Sequence, residues 1–141
     1  DFDGVKLRTM TSPLLLRSYE AYGANPVALP YGDVYSALQL SMIDGQVNPI
    51  YAIEEMGFHE VSNHLILPGH AVYLTTLATG ARFADSLSEE ERAWLQQAVD
   101  EADSFILQHQ IDLNRRRLDT IREETPALTI TEQLLHWREL V

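Results

Sequence analysis

The sequence lacks cysteine, is poor in basic residues and has no long apolar run, and each of these absences excludes a class of protein or site. The absence of cysteine rules out disulfides, thiolate zinc sites and cysteine nucleophiles. Only 10 basic residues stand against 21 acidic ones, and the net charge of −11 argues against nucleic acids and anionic membrane surfaces as partners. No apolar run approaches the roughly 18 residues of a membrane-spanning helix.

Signatures of catalysis and of cofactor binding are missing as well. There is no G-x-G-x-x-G fingerprint, no Walker loop and no nucleophile elbow. Nothing in the sequence fixes two carboxylates at a separation suited to acid–base chemistry. The spacing of His59, His64 and His70 matches no zinc signature, so we interpret them as turn and strand-edge residues. We therefore expect no enzymatic activity, no cofactor and no metal.

Core-forming residues, by contrast, are abundant. Hydrophobic residues make up 45 % of the 141, which is enough for a packed core in one domain or in one lobe of a larger protein. The chain begins without methionine or a signal peptide, on a turn that leads into a strand. We therefore expect it to be cut from a longer precursor.

Strand and helix signals alternate along the first part of the chain. Val5–Thr9 alternates in polarity as a short strand does, and Ser12 followed by proline is typical of a helix start. Val27–Leu29 predicts a second strand, and Asp33–Met42 predicts a second helix with Asp33 as its N-cap and Met42 in its buried stripe. This order is typical of βαβ units, so we predict an α/β fold with a mostly parallel sheet flanked by helices.

The second part of the chain is dominated by one long helical pattern. Before it, the sequence predicts a helix over Tyr51–Phe58 and strands over His64–Leu67 and Ala71–Ala78. Ser88 and Glu91 then form a capping box that opens a helix of about 35 residues, roughly 50 Å long. A compact lobe of this size is only roughly 30–35 Å across, so an unbroken helix would reach past it.

The end of the chain carries weaker signals. Proline stops the long helix at position 126, after which we predict a strand at Thr129-Ile130 and a last helix over Glu132–Leu140. The short basic run Arg115–Arg117 is expected to lie on a solvated face of the long helix.

Three side chains are candidates for ligand binding. Arg8 lies late on the first strand, and ligands of open α/β sheets gather outside the carboxyl ends of strands. Its planar guanidinium suits a carboxylate, although a surface ion pair is an equal alternative. Asn48 follows a helix-breaking Asp-Gly pair and would orient a ligand or only turn the chain. Tyr31 would stack on a ligand or, as the residues alone favour, pack under its loop.

The order of these pieces resembles one family, the solute-binding proteins of TRAP (tripartite ATP-independent periplasmic) transporters, of the dicarboxylate-binding-subunit type. The matching stretches are DFDGVKLRT, YGANPVALPYGDVYSALQLSMIDGQVNP, FHEVSNHLILPGH and SLSEEERAWLQQA. The resemblance covers residues 1 to about 115 and only the second half of family members. It implies a periplasmic receptor that captures a small organic acid and delivers it to the membrane permease subunits of a sodium-coupled transporter.

The resemblance also implies roles for individual residues. Arg8 would hold the substrate carboxylate, Asn48 would hydrogen-bond the ligand and Tyr31 would wall the pocket. His70 stands where members often carry a polar residue near the cleft, and we add Thr11, in the loop after the first strand, to the ligand-binding set. Members often carry glutamate just before the asparagine, whereas this chain has Val47, which leaves the identity of the acid open.

The same resemblance implies a division of the chain. Residues 1–87 would form the ligand-binding lobe, 88–125 a helix spanning both lobes, and 126–141 a terminal strand and helix, all within one structural domain. The opposing lobe would be missing, and the long helix would expose an apolar stripe that invites homo-oligomers. Two other functions stay open from the residues: the ligand-sensing domain of a receptor and, disfavoured, a small α/β enzyme.

Overall fold

A computed structural model of the chain describes residues 2–69 and 74–132. The elements alternate as the sequence predicts for an α/β fold. Their bounds are β1 Lys6–Thr9, α1 Pro13–Ala21, β2 Asn25–Ala28, α2 Val34–Gln39, β3 Gly45–Gln46, α3 Ile50–Glu55, β4 His64–Leu67, α4 Ala81–Ser86, α5 Glu89–Glu124 and β5 Thr129–Glu132. Two 3₁₀ turns, Tyr31–Asp33 and Phe58–Val61, precede α2 and follow α3.

Two parallel sheets are present among the described residues. β1 lies between β2 and β3 in a three-stranded sheet, and β4 pairs with β5 in a second sheet. The βαβ connection through α1 begins at Ser12, whose hydroxyl accepts from the Leu15 amide, and ends at Gly23 in a left-handed conformation (φ 90°). The prediction of a mostly parallel α/β fold is confirmed.

The strand β1 lies where the sequence predicts it, but more of its residues are buried than the alternation predicts. Alternation predicts that every second residue is buried, yet Leu7, Arg8 and Thr9 are all buried. A central strand of a parallel sheet is covered on both faces, so consecutive side chains leave solvent. This covering is what places Arg8 inside the molecule.

The second helix is shorter than predicted, and its expected cap is wrong. Asp33 has a helical backbone conformation (φ −93°, ψ −6°) as the last residue of the 3₁₀ turn, and it makes no side-chain capping bond. The helix ends by Ser41, whose φ of 55° reverses the chain. Because of that reversal Met42 points outward, 63 % exposed, and Ile43 takes the buried position instead.

The region between β4 and α5 also departs from expectation. The predicted strand Ala71–Ala78 lies partly outside the described residues, and positions 74–78 form no strand. Leu74 and Leu77 are about four-fifths exposed, so their apolar character does not reflect burial in a sheet. The helix α4 was not predicted, and the predicted last helix lies almost wholly outside the described residues.

The long helix α5 runs without a break over 36 residues, which confirms the prediction from the capping box. Only its carboxyl-terminal part joins the main core, where Ile121 is fully buried with Val34 and Phe58. Its middle is exposed, with Phe105 at 68 % and Leu107 at 65 %. Within the part of the chain that the structure describes, no helix has the length and apolarity needed to cross a membrane.

Candidate functional site

Arg8 lies at the centre of the three-stranded sheet, close to the carboxyl ends of its strands. In the parallel register it stands between Val27 of β2 and Gln46 of β3. Its side chain is among the largest fully buried ones, with 2 % of the residue exposed. The alternative of a surface arginine in an ion pair is therefore wrong.

One hydrogen bond to the described residues holds the guanidinium of Arg8, and part of its N–H donors are not used by it. Its Nε donates to the Leu29 carbonyl at 2.9 Å, which fixes the plane of the group. Its Nη1 is enclosed and has no hydrogen-bond partner among residues 2–69 and 74–132. Burial lowers the pKa of Arg8, and the nearby Tyr31 raises it in part. A buried cation with an unused donor is well suited to bind an anion.

Tyr31 both packs under its loop and faces the arginine. Its ring meets Phe58 edge-to-face with centroids 5.8 Å apart, and its hydroxyl donates to the Ala52 carbonyl at 3.4 Å. The Arg8 guanidinium carbon lies 5.9 Å from the centre of the same ring. Burial first, and then the nearby Glu55 and Tyr51, raise the pKa of Tyr31, so its hydroxyl stays protonated at neutral pH.

Asn48 follows β3 and is oriented by a neighbour. Its Nδ2 donates to Oε1 of Gln46, and both residues are partly buried. Because the amide nitrogen points to Gln46, the Asn48 carbonyl oxygen is turned away from it and can accept from another group. This bond leaves both earlier interpretations of Asn48, ligand binding and turn formation, open.

Gln46 is the site residue that sequence reasoning missed. It is in register with Arg8 across the β1–β3 pair and it orients Asn48. The signal was its position two residues before the asparagine, since alternate residues of an extended segment share a face. The sequence could not reveal that β3 pairs directly with β1.

The two remaining predicted residues are not brought into this group. Thr11 is exposed in the loop after β1, and among the described residues no hydrogen bond joins it to Arg8. Thr9, which precedes this loop, is the buried threonine. His70 lies outside the described residues.

The histidines that could suggest a metal do not cluster. His59 is buried, with its Nε2 3.3 Å from a Glu124 carboxylate oxygen and its Nδ1 3.4 Å from the Ile53 carbonyl. His59 thus lies on a turn, as the sequence predicts, but its side chain is buried, whereas His64 is exposed at the start of β4. Within the described ranges no three metal-ligating side chains lie together.

The candidate site thus consists of a cation, an aromatic ring and an amide pair near the ends of three parallel strands. Such a set can bind an anionic group at Arg8 and hydrogen-bond a neighbouring polar group at Asn48. Nothing in it supplies a nucleophile beside a base.

Comparison with known proteins gives one family. The model described as "Bacterial extracellular solute-binding protein, family 7" matches residues 1–141, the whole chain and more than the stretch up to about residue 115 on which the resemblance was seen.

One curated relative is the ectoine-binding periplasmic protein TeaA of Halomonas elongata. It is 40 % identical over 143 residues, which cover 99 % of this chain and 42 % of TeaA. The chain therefore spans less than half the length of this relative.

Solved structures show the same fold. A TRAP periplasmic solute-binding protein from Marinobacter aquaeolei VT8, in an apo open structure, superposes with a TM-score of 0.91 at 38 % identity, covering 99 % of this chain and 46 % of that one. Another, from Chromohalobacter salexigens with bound d-glucuronate, gives a TM-score of 0.84 at 26 % identity, covering 94 % and 44 %.

Proposed function

We propose, from the premise that the chain belongs to family 7 of the bacterial extracellular solute-binding proteins, that it forms one half of a periplasmic receptor for a small organic acid. The receptor would capture the acid and pass it to the membrane permease subunits of a sodium-coupled TRAP transporter. TeaA, which is named as an ectoine-binding periplasmic protein, supports this role because it matches nearly the whole chain.

The observation that carries the proposal is the buried guanidinium of Arg8. Taking an unpaired charge out of water costs several kcal/mol by rough estimate, so a partner is needed to offset that cost. The bond to the Leu29 carbonyl fixes the plane of the group, and no ion pair among the described residues balances its charge. Both features favour a carboxylate, whose two oxygens match a guanidinium edge. We infer that the ligand carboxylate binds Arg8.

The polar pair Gln46–Asn48 indicates what else the ligand carries. It offers amide donors and acceptors beside Arg8, so a hydroxyl or N–H group next to the carboxylate would be bound well. Ectoine and d-glucuronate, named with the relatives above, both combine a carboxylate with such groups. Val47 supplies no hydroxyl-binding carboxylate at this point, which leaves the identity of the acid open. Tyr31 would wall this site, and we keep Thr11 and His70 as proposed outer contacts.

The other half of the receptor would supply the remaining contacts. Receptors of two lobes close over the ligand, and each lobe contributes part of the binding surface. We propose the division into a lobe over 1–87, a spanning helix over 88–125 and a terminal segment over 126–141. The pairing of β4 with β5 supports their union in one structural domain.

We propose capture without chemical conversion. The site has a cation and amides but no acid–base pair or nucleophile among the residues that the structure places around Arg8.

The exposed middle of α5 supports one further proposal. We propose that this chain on its own forms homo-oligomers through the exposed apolar side chains of α5.

A thermal-shift panel on the complete gene product tests the function. Ectoine, d-glucuronate and other monocarboxylates would be screened against their uncharged amides and against polyols of equal size. Because a ligand that binds only the folded state raises the melting temperature, at least one acid should stabilise the protein while its amide does not. Equal stabilisation by acid and amide, or a response only to polyols, would contradict the proposal.

A further inference from the structure

The helix that follows the site, α3, lacks a cap of its own. It begins two residues after Asn48, and its N-cap position is occupied by Pro49, which makes no side-chain capping bond. The first amides of a helix have no partner within it, so they must be satisfied from elsewhere. A helix of only six residues has little stability of its own.

Asn114 of the long helix α5 supplies that cap from a distant part of the chain. Its Oδ1 accepts from the Tyr51 amide at 3.1 Å, across 63 positions of sequence. Its Nδ2 donates to the Gln110 carbonyl at 3.0 Å, which fixes the orientation of the side-chain amide. The arrangement reproduces an ordinary N-cap with a residue borrowed from another element.

Arg117, one helical turn further on the same face of α5, adds a second link. Its Nη1 lies 2.7 Å from the Glu54 Oε1, and the Glu54 side chain is only 12 % exposed. The other carboxylate oxygen of Glu54 is enclosed and has no hydrogen-bond partner among the described residues. Arg115 and Arg116 lie on the predicted solvated face, while Arg117 is half-exposed and pairs with α3. The helix α3 is thus held at its start by Asn114 and near its end by Arg117.

The position of α3 determines the position of the site. Its Ala52 carbonyl accepts the Tyr31 hydroxyl, and the Tyr31 ring faces Arg8. Its amino end continues directly from Asn48 and Pro49. A shift of α3 would therefore move the aromatic wall and the amide group relative to the guanidinium.

We propose that Asn114 and Arg117 are positioning residues for ligand binding, which act through α3 on Tyr31 and Asn48. They touch no ligand themselves. The inference rests on the proposed function, because ligand affinity is one of its readouts.

The first test compares four variants of the complete gene product by titration calorimetry with the acid found in the panel. Asn114→Ala should weaken binding roughly fivefold or more, in line with loss of a helix cap. Asn114→Asp keeps the accepting oxygen but loses the donor to the Gln110 carbonyl, so it should recover part of the affinity. Arg115→Ala is the matched control, because its partner Asp112 lies on α5 itself. Arg8→Ala reports on the proposed function separately.

The second test needs no ligand. Asn114→Ala leaves the Arg117–Glu54 pair in place, so the fold should survive with a lower melting temperature. Nuclear magnetic resonance spectra should show shifted signals for the Asn48 side-chain amide and the Tyr31 ring in Asn114→Ala, and unchanged signals in Arg115→Ala. If these signals do not shift in Asn114→Ala, the positioning role is overturned. The same holds if Asn114→Ala binds the acid as wild type does while Arg8→Ala does not, and in that case the proposed function stands. Binding retained in Arg8→Ala would overturn the proposed function instead.

Discussion

At the scale of single residues, the chemistry rests on an arginine that the fold removes from water. The Arg8 guanidinium is held in place by the Leu29 carbonyl and lies beside the Tyr31 ring, and it takes part in none of the ion pairs formed by the described residues. Soluble proteins rarely bury a full charge without pairing it. The carboxylate of the ligand that we propose would balance this charge.

Tyr31 should act through its ring more than through its hydroxyl. The hydroxyl bond to the Ala52 carbonyl is long at 3.4 Å, so we expect Tyr31→Phe to cost about 0.5 kcal/mol of stability and to keep ligand affinity within about threefold. Tyr31→Ala also removes the contacts with Phe58 and Arg8 and should weaken binding by about tenfold or more. Denaturant unfolding and calorimetry measure the two effects. Equal binding by Tyr31→Ala and wild type would show that the ring does not wall the site.

At the scale of elements, the start of α5 is the clearest case of local sequence determining local structure. The Ser88 amide and hydroxyl both donate to the Glu91 carboxylate at 2.8 Å, and the Glu91 amide donates to the Ser88 oxygen at 3.3 Å. These bonds lower the pKa of Glu91, because they stabilise its ionised form. The capping box therefore depends on pH.

The sign of this dependence follows from the direction of the shift. Since the folded state lowers the pKa of Glu91, its stabilising effect is complete above the ordinary glutamate value and is lost as the pH falls through the lowered value. We expect Glu91→Gln to melt about two degrees below wild type at neutral pH and at the same temperature in strong acid. Circular dichroism melts across this range measure the difference. A gap that stays constant down to low pH would exclude the ionised carboxylate as its source.

Helix caps made by neighbouring residues were largely predictable, and a cap supplied by a distant residue was not. Ser12 and Ser88 start helices through bonds within four residues of chain, and the sequence predicts both starts. Asp33 was expected to cap α2 in the same way. As the last residue of the 3₁₀ turn it already has a helical backbone conformation, and its side chain makes no capping bond. The start of α3 was predicted within one residue, but its cap Asn114 lies on another helix, and no local pattern could indicate that partner.

The same distinction applies to the site. Arg8 and Asn48 could be proposed as site residues because strand ends and helix breaks are visible in sequence, and the family resemblance adds roles to them. The burial of Arg8 depends on strands on both sides, and the importance of Gln46 depends on the β1–β3 register. Both are properties of the assembled sheet.

At the scale of the whole molecule, the chain spans about two-fifths of the length of TeaA, and its long helix is partly exposed. Trp94, Phe105 and Leu107 are each more than 60 % exposed on α5. Exposed apolar area of this kind favours association, since burying each large side chain contributes roughly 1.5–3 kcal/mol.

We therefore expect the isolated 141-residue chain to self-associate through α5. Replacing two apolar residues that share one side of the helix, in Trp94→Ser/Phe105→Ser, should weaken the association by about tenfold or more. The matched control Gln97→Ser/Gln108→Ser makes similar changes to helix propensity at polar positions and should leave it unchanged. Sedimentation velocity over a concentration series measures this. A wild-type chain that stays monomeric at all concentrations would refute the expectation.

The central claim is that the buried guanidinium of Arg8 binds a ligand carboxylate, and titration calorimetry of Arg8→Met tests it most directly. Methionine fills a similar volume without charge, so the fold should be kept, as the melting temperature will verify. Loss of two charge-assisted hydrogen bonds should reduce the affinity of the complete gene product for its acid by about a hundredfold or more. An Arg8→Met protein that melts normally and binds the acid within about threefold of wild type would contradict the account.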